Sequence, residues 1–168
     1  DSYKEVENNE QPSEPVEKTI GEVLTSVAGL YKTTGTVVGV NAQSFLLKDE
    51  TGSILVYKGS DWTVDVKVGD KVTVTGTTSS YALAVQFGKD AEYEVVGEET
   101  VEVLEAIELT AADLDAYLVM EKVTPIYVKV RGLLSVSNGK YFNLSVDGAT
   151  LVGSITYPID AEALTALN

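Results

Sequence analysis

The side chains that could do chemistry in this chain are carboxylates, lysines and a few aromatic rings, because the sequence contains no histidine and no cysteine. A Ser-His-Asp triad, a cysteine nucleophile, a histidine base and zinc sites built from Cys and His are therefore excluded. The acidic turns lack the oxygen spacing of an EF-hand calcium loop. Two carboxylates suffice for a glycosidase, but the short turns leave no cleft for a substrate. We therefore expect a binding module with no catalytic residue, metal or cofactor.

Charge divides the chain into three parts. The 168 residues carry 12 basic and 26 acidic side chains, a net charge of -14. Residues 1–17 combine six acidic residues with one lysine and two prolines, which predicts a flexible acidic tether that cannot bury enough apolar surface to fold. Residues 18–96 are nearly neutral, whereas residues 97–168 hold eleven acidic and four basic residues. No apolar run approaches the ~20 residues of a membrane-spanning helix, so no transmembrane segment is predicted.

The elements that would position a site follow from the hydrophobic pattern. Thr19 and Glu22 have the spacing of a capping box, which predicts a short helix over 19–28 that ends at Gly29. Alternating apolar and polar residues then predict strands at 30–41, 44–49, 53–58, 71–78, 81–87 and 92–96. The residues expected to share one barrel core are Phe45, Leu47, Ile54, Val56, Val72, Val74 and Val85. Five principal strands joined by short turns are typical of a small closed barrel over 18–96.

The second half of the chain repeats the first. With a shift of 97 residues, KTTGTVVGVNAQSFLL (32–47) aligns without a gap over KVRGLLSVSNGKYFNL (129–144). The identical pairs are Lys32/Lys129, Gly35/Gly132, Asn41/Asn138, Phe45/Phe142 and Leu47/Leu144. A helix start precedes each copy, as TIGEV at 19–23 and TAADL at 110–114. We interpret this pattern as an internal duplication, so the fold class predicted is mostly β, with two tandem barrels and short helices.

The second copy, within the linker and partial unit at 97–168, is unfinished. Nothing after residue 157 corresponds to the strands at 71–78 and 81–87, and PIDAEALTALN (158–168) has the spacing of a helix instead. Either the chain continues beyond residue 168 and supplies the missing strands, or something else must close the second unit, because two strand edges with unpaired backbone groups would otherwise remain. We expect the segment 97–108 to add as a strand and the helix to cap the open face through Leu164 and Leu167. Edge pairing with a second chain, which gives a dimer instead of a monomer, is the alternative.

One family resemblance spans most of both copies. The stretch GTVVGVNAQSFLLKDETGSILVY followed by VKVGDKVTVTGTTSSY is similar to OB domains of the anticodon-binding or single-strand-binding type. The chain most resembles the OB modules of secreted Bacteroidetes lipoproteins, over 30–96 in the first unit and about 129–157 in the second. The resemblance implies tandem OB-fold barrels, nucleic-acid binding, and an exported periplasmic or cell-surface lipoprotein anchored through a cysteine just before Asp1. Because OB barrels carry many functions, it specifies the fold better than the ligand.

The resemblance also indicates a face for the ligand. OB barrels stack single strands on aromatic rings along strands two and three, beside a basic groove. The candidate ligand-binding residues are Lys48, Leu55 and Tyr57 on the outward face, with Lys58, Trp62 and Tyr81 from the loops. Each has a structural alternative: Tyr57 as a cross-strand pair, Trp62 as a plug at the barrel end, and the lysines as solvated strand residues.

The charge sets the expected strength of binding. Affinity for nucleic acid is dominated by phosphate neutralisation, and a protein of net charge -14 repels phosphate at long range. We therefore expect a non-enzymatic module that binds single-stranded nucleic acid weakly and loses it at physiological salt. The alternative is a glycan- or protein-binding accessory or scaffold module of a cell-surface complex that uses the same face. The sequence leaves the identity of the ligand open.

Overall fold

The computed structural model describes residues 14–167, so most of the tether predicted for 1–17 lies outside the described residues. The last two tether residues, Val16 and Glu17, form a short strand that pairs in parallel with Tyr31 and Lys32. Residues 16 and 17 therefore belong to the folded part of the chain instead of the predicted tether. Backbone hydrogen bonding orders these two exposed residues, and composition alone gives no indication of it.

Twelve strands and three α-helices follow one another in the described residues. The first seven strands are β1 (Val16–Glu17), β2 (Leu30–Asn41), β3 (Ser44–Lys48), β4 (Ser53–Tyr57), β5 (Asp70–Tyr81), β6 (Ala84–Phe87) and β7 (Glu92–Glu98). The other five are β8 (Ile107–Glu108), β9 (Val128–Lys129), β10 (Leu133–Ser137), β11 (Tyr141–Ser145) and β12 (Val152–Ile155). The helices are α1 (Ile20–Thr25), α2 (Ala111–Ala116), which continues into a 3-10 turn (Tyr117–Val119), and α3 (Ala161–Thr165). Within residues 14–167, every helix is too short or too polar to span a bilayer.

Five of these strands close into a barrel. β2 pairs antiparallel with both β3 and β5, and β3 pairs antiparallel with β4. β6 lies between β4 and β5; it pairs parallel with β4 and antiparallel with β5. The ring β2-β3-β4-β6-β5 is a closed five-stranded barrel consistent with an OB fold. β1 lies beside β2, and β7 lies beside β5. The predicted strands all form, although β5 continues to Tyr81 and β6 begins only at Ala84.

The barrel interior confirms the predicted core. Phe45, Leu47, Ile54, Val56, Val72 and Val74 are buried in one cluster, and Val85 is partly buried against it. Helix α1 closes one end of the barrel through Ile20 and Val23, which are fully buried. Phe87 is fully buried as well, although the alternation did not single it out. The period-2 pattern therefore determines which face of each strand points inward.

Helix α1 begins where predicted and ends early. The predicted capping box is confirmed, because the Thr19 N–H donates to Glu22 Oε2 at 2.9 Å and the Thr19 hydroxyl accepts from the Glu22 N–H. The helix ends at Ser26 instead of Gly29. The Ser26 hydroxyl donates to the Glu22 carbonyl at 2.6 Å, which satisfies an acceptor of the last turn. Val27, expected on the buried face, is consequently exposed.

The second unit contains smaller sheets. β10, β11 and β12 form an antiparallel three-stranded sheet, and β8 pairs in parallel with β9. The strand predicted over 97–108 forms only at its two ends, as the end of β7 and as β8. Residues 101–106 are irregular, and Val103 is 92% exposed. That part of the prediction is wrong, because β-branched residues form a strand only where a neighbouring edge is available to pair with them.

The C-terminal helix covers less than expected. α3 spans only Ala161–Thr165, Leu164 is half-buried, and Leu167 is exposed. The helix lies beside the β10–β11 turn, where Ala161 and Gly139 line the same shallow depression. The expected cap through Leu167 is therefore wrong. Phe142, by contrast, is 2% exposed and is the centre of burial in this sheet.

Candidate ligand-binding face of the barrel

Three of the six predicted residues share the outer face of β3 and β4. The register pairs Leu46 with Leu55 and Lys48 with Ser53, while Tyr57 lies opposite Ser44. Leu55, Lys48 and Tyr57 are half-buried, whereas the residues alternating with them fill the core. This sheet face, called the outer β3–β4 face below, is therefore the surface that the alternation predicts.

Lys58 and Trp62 lie at the end of the barrel instead of on this face. The Lys58 ammonium donates to the carbonyls of Lys89, at 2.8 Å, and Ala91, and lies 5.3 Å from the ring centroid of Tyr93. The Trp62 indole N–H donates to the Tyr93 hydroxyl at 2.7 Å. Both side chains therefore hold the 58–69 loop against the β6–β7 region. Trp62 lies as a plug at the barrel end, which is its structural alternative from the sequence.

Tyr93 is the centre of this end cap. Its ring packs edge-on against Phe45 with centroids 5.2 Å apart, and Trp62 approaches Phe45 at 5.9 Å. Its hydroxyl donates to Asp65 Oδ1 at 2.5 Å. Burial and this hydrogen bond to a carboxylate raise the pKa of Tyr93 to about 12. The sequence analysis missed Tyr93, since its partners lie about 30 residues away in the chain.

Tyr81 is at the tip of the β5–β6 hairpin and is 71% exposed. The two turn residues, Ala82 and Leu83, have φ values of 48° and 68°. This left-handed backbone is the geometry of a tight two-residue hairpin and is costly for residues with a Cβ. Leu83 is also exposed. The tip therefore presents one aromatic and one aliphatic side chain to solvent, apart from the outer β3–β4 face.

The second unit contacts two turns of the first barrel. The Ala42 N–H, in the β2–β3 turn, donates to the Tyr157 carbonyl at 2.8 Å. The Leu83 carbonyl, in the β5–β6 turn, accepts from the Val123 N–H at 3.1 Å. The Tyr157 ring lies 6.4 Å from the Tyr57 ring, tilted by 42°. Tyr157 has a φ of 49°, an uncommon conformation for an aromatic residue, so these tertiary contacts hold it in place.

Few cations are available on this side of the barrel. The Lys48 ammonium donates to the Asp49 carbonyl at 3.2 Å, and Lys71 pairs with Glu99 at 2.6 Å. The Lys71 hydrogen bond, together with one from Thr36, lowers the pKa of Glu99. The lysines of the first barrel are therefore used mostly within the fold.

Asp49 is a structural carboxylate beside Lys48. Its oxygens accept from the Ile20 N–H at 2.9 Å and from both the N–H and the hydroxyl of Thr51. Burial alone would raise the pKa of Asp49, but the hydrogen bonds outweigh burial and lower it. Asp49 thereby joins the start of α1 to the β3–β4 turn. Among residues 14–167, no three acidic side chains converge where they could hold a metal ion.

The fold and this face define a mostly β protein with a closed OB-like barrel. Neither a protein-family model nor a curated protein matches the chain. Among solved structures, the hypothetical protein ygiW from E. coli is 20% identical, with a TM-score of 0.39, over 50% of this chain and 95% of that one. The OB domain of MM0293 from Methanosarcina mazei is 19% identical, with a TM-score of 0.40, over 55% of this chain and 94% of that one.

A third solved structure is a murine DNA-binding protein bound to double-stranded DNA. It is 16% identical, with a TM-score of 0.40, over 51% of this chain. This chain covers 50% of the length of that protein. The three likenesses therefore each extend over about half of this chain.

Proposed function

We propose that the protein is a non-enzymatic binding module whose first barrel is a scaffold and whose partner is another protein. The observation that carries this proposal is the use of the outer β3–β4 face within the chain itself. The β2–β3 turn beside this face donates a backbone hydrogen bond from Ala42 to the Tyr157 carbonyl, and the Tyr57 ring lies near the Tyr157 ring. A face engaged in this way supports the second unit and is only partly open to a ligand.

The charge distribution supports a protein partner over nucleic acid. The ammonium groups of Lys48, Lys58 and Lys71 all bond within the fold. Releasing counterions from phosphate requires cations that are free to approach it. We further propose that the module functions at the cell exterior as part of an exported lipoprotein, which the resemblance to Bacteroidetes OB modules supports.

Weak binding of single-stranded nucleic acid is the second candidate function. The hairpin tip favours it, because Tyr81 is exposed and a base stacked on one aromatic ring contributes about 1–3 kcal/mol. The attraction between phosphate and the lysines of the barrel fades as salt rises, so one such ring on a protein of net charge -14 gives weak binding.

Fluorescence anisotropy with labelled single-stranded DNA separates the two candidates. At low salt we expect at most weak binding, and Tyr81→Ala should remove it. Tyr127→Ala is the matched control, because Tyr127 is also exposed, and should leave the binding unchanged. At ~150 mM salt, where exposed charges are well screened, we expect none. Tight binding at that salt would overturn the protein-partner proposal. Salt-insensitive binding of a polysaccharide in the same assay would overturn it in favour of a glycan.

A further inference from the structure

One residue of the second unit has a backbone conformation that its own sequence disfavours. Tyr157, between β12 and α3, has a φ of 49°. This left-handed region is uncommon for a residue with a Cβ, and a bulky residue there is an outlier. Tyr157 also precedes Pro158, and a residue before proline prefers an extended conformation. The turn at 156–158, called the Tyr157 turn below, is therefore held against its local preference.

Two contacts with the first barrel hold the Tyr157 turn in place. The Tyr157 carbonyl accepts from the Ala42 N–H at 2.8 Å, and the Tyr157 ring lies 6.4 Å from the Tyr57 ring. This separation of the ring centroids is within the range of favourable aromatic pairs. A strained backbone persists only where its surroundings impose it, and such residues cluster at ligand clamps and switch regions. The strain therefore marks this contact as a candidate switch.

The neighbouring elements give the Tyr157 turn little support. All four residues of β12 are exposed, and α3 has no buried residue. Tyr157 itself is 44% exposed. The position of the turn therefore depends on its contacts with Ala42 and Tyr57. Loss of these two contacts would let Tyr157 return to an extended backbone.

A separate attachment joins the second unit to the barrel at another place. The Val123 N–H donates to the Leu83 carbonyl at 3.1 Å, and the Lys122 ammonium donates to the Leu24 carbonyl in the last turn of α1. These hydrogen bonds involve neither Ala42 nor the outer β3–β4 face. The Tyr157 turn can therefore leave the barrel while residues 122–123 stay attached.

The barrel side of the contact offers an aromatic ring and a hydrogen-bond donor. Tyr57 is half-buried on the outer β3–β4 face, and its hydroxyl donates to Gln43 Oε1 at 3.3 Å. The Gln43 carbonyl accepts from the N–H groups of Lys58, at 2.8 Å, and Gly59, at 3.2 Å. These bonds fasten the β2–β3 turn to the end of β4. The Ala42 N–H and the Tyr57 ring are therefore held in a fixed arrangement.

The present occupant indicates which ligand chemistry fits. Tyr157 presents its ring to Tyr57 and its own carbonyl to Ala42. An aromatic residue of any polypeptide carries the same two groups. A nucleobase also combines a ring with a carbonyl, but it brings phosphate, and the ammonium groups of Lys48 and Lys58 bond within the fold. The arrangement therefore favours an aromatic residue of a protein.

We propose that Tyr157 is an internal competitor for an aromatic residue of the protein partner. In the closed state the Tyr157 turn occupies the Tyr57 ring and the Ala42 N–H. The partner's aromatic residue takes over both contacts, and Tyr157 relaxes to an extended backbone. Because the partner binds only the open state, it shifts the population toward that state. The proposal rests on the protein-binding function above and adds the anchor residue of the partner and the regulation of the face.

A labelled peptide with the sequence of residues 154–160, SITYPID, tests the proposal on the full chain. NMR titration should show saturable binding to the Tyr157→Ala protein, in which the ring position is open. Binding to the wild type should be about tenfold weaker or less, because a ring in the same chain competes at an effective concentration of about millimolar. The peptide carrying Tyr157→Ala should not bind to either protein.

Two further variants locate the bound peptide. Adding Tyr57→Ala to the Tyr157→Ala protein should abolish binding. Tyr127→Ala changes an exposed tyrosine away from this face and should bind the peptide as the wild type does. In the Tyr157→Ala protein, the amide signals of Ala42 and Tyr57 should shift as the peptide is added. This location does not depend on whether the Tyr57 variant folds.

The matched pair Tyr157→Gly and Tyr157→Ala tests the strain. Both variants lack the ring, but glycine adopts a positive φ without a steric cost, whereas alanine does not. The Ala42 amide, which donates to the Tyr157 carbonyl, should therefore exchange more slowly in Tyr157→Gly than in Tyr157→Ala. Equal exchange in the two variants would overturn the proposed release of strain.

The other outcomes separate this proposal from the protein-binding function. Absent saturable binding, equal binding to wild type and Tyr157→Ala, or shifts away from Ala42 would overturn the competitor alone. A thymidine oligonucleotide that shifts the Ala42 and Tyr57 signals of the Tyr157→Ala protein, where the peptide does not, would overturn it in favour of a nucleobase. Tight oligonucleotide binding to the wild type at ~150 mM salt would overturn the protein-partner function itself.

Discussion

The first barrel and the second unit use similar local pieces and reach different degrees of burial. Phe45 and Phe142 are both nearly fully buried, at 1% and 2% exposed, yet the first belongs to a core of fourteen buried residues while the second lies in a sheet whose other apolar residues are half-buried or exposed. The difference is the presence of β5 and β6. A capped helix, a bent strand and a hairpin can each form from local sequence, but a core needs strands that close around it.

The largest expected difference between the two regions is at the aligned phenylalanines. Phe45→Ala should lower the free energy of unfolding of the barrel by about 3–5 kcal/mol, because a closed core relaxes little around a cavity. Urea unfolding followed by the fluorescence of Trp62, whose ring lies 5.9 Å from Phe45, measures this loss. Phe142→Ala should move the same transition by less than about 0.5 kcal/mol, because Phe142 packs in the β10–β11–β12 sheet and not in the barrel core that Trp62 reports on. Equal shifts would mean that the two units unfold as one cooperative body.

The next comparison concerns two carboxylates that join a helix to a turn. Asp49 reaches from the β3–β4 turn to the start of α1, whereas Asp115 reaches from α2 to the backbone N–H groups of Thr150 and Leu151, both at 2.8 Å. Asp49→Ala should lower the stability of the barrel by about 2 kcal/mol, as expected for charge-assisted hydrogen bonds. Asp115→Ala should leave the Trp62 transition unchanged and speed hydrogen exchange at residues 150 and 151. A shift of that transition in the Asp115 variant would contradict the comparison.

The pKa values of Asp49 and Asp115 are both lowered, and this determines how the stability of the protein depends on pH. For Asp115 the hydrogen bond from the Leu151 N–H lowers the pKa, and for Asp49 the hydrogen bonds outweigh burial. A depressed pKa contributes stability that is fully present above the unfolded value of about 3.9 and is lost as the pH falls through the folded value. Acid titration of the wild type should show this loss below about pH 4, and Asp49→Ala should reduce it in the barrel. An unchanged acid profile in that variant would contradict the assignment.

A smaller effect is expected at the end cap of the first barrel, where Tyr93 joins Trp62 to Asp65. Tyr93→Phe removes the hydroxyl between Trp62 and Asp65 and should cost about 1 kcal/mol. Because burial raises the pKa of Tyr93 to about 12, the barrel should be fully stable below about pH 10 and lose stability above it. Unfolding measured between neutral pH and pH 11 checks the direction. A Tyr93→Phe variant with the same high-pH loss would show that another group is responsible.

The smallest effect is expected where the two regions meet. Tyr157→Ala removes the ring that faces Tyr57 and should change the stability of the barrel by less than about 0.5 kcal/mol, since Tyr157 is exposed. Hydrogen exchange at the Ala42 amide, which donates to the Tyr157 carbonyl, should become faster. The exposed Tyr127→Ala is the matched control and should leave that amide unchanged. Equal protection in all three proteins would mean that the ring does not help to hold the units together.

The sequence predicted the strands of the barrel and much of its core. β2 forms over the predicted residues, and both capping boxes appear where threonine precedes an acidic residue by three positions. On the candidate site, the alternation placed Lys48, Leu55 and Tyr57 on one face. These features depend on spacings of two or three residues, which can be read from the sequence without knowledge of distant contacts.

The remaining site residues depended on distant partners. Lys58 and Trp62 lie in loops, where no period fixes their direction, and they point to carbonyls and a tyrosine about 30 residues away. Tyr157 is 100 positions from Tyr57, and no local pattern connects the two. The strand predicted over 97–108 forms only at its two ends, because no strand pairs with residues 101–106.

The sequence alone therefore determined where strands and helix starts form, because backbone geometry and side-chain alternation are local properties. The tertiary structure alone decided how the five strands of the first barrel pair, since closure places β6 and β5 between β4 and β2, far from their order in the sequence. It also decided which exposed side chains remain free, because a lysine or tyrosine within reach of a buried carbonyl or carboxylate bonds to it instead of to water. In this chain the physical reason is the same in both cases: long-range backbone pairing determines what the local elements can bury.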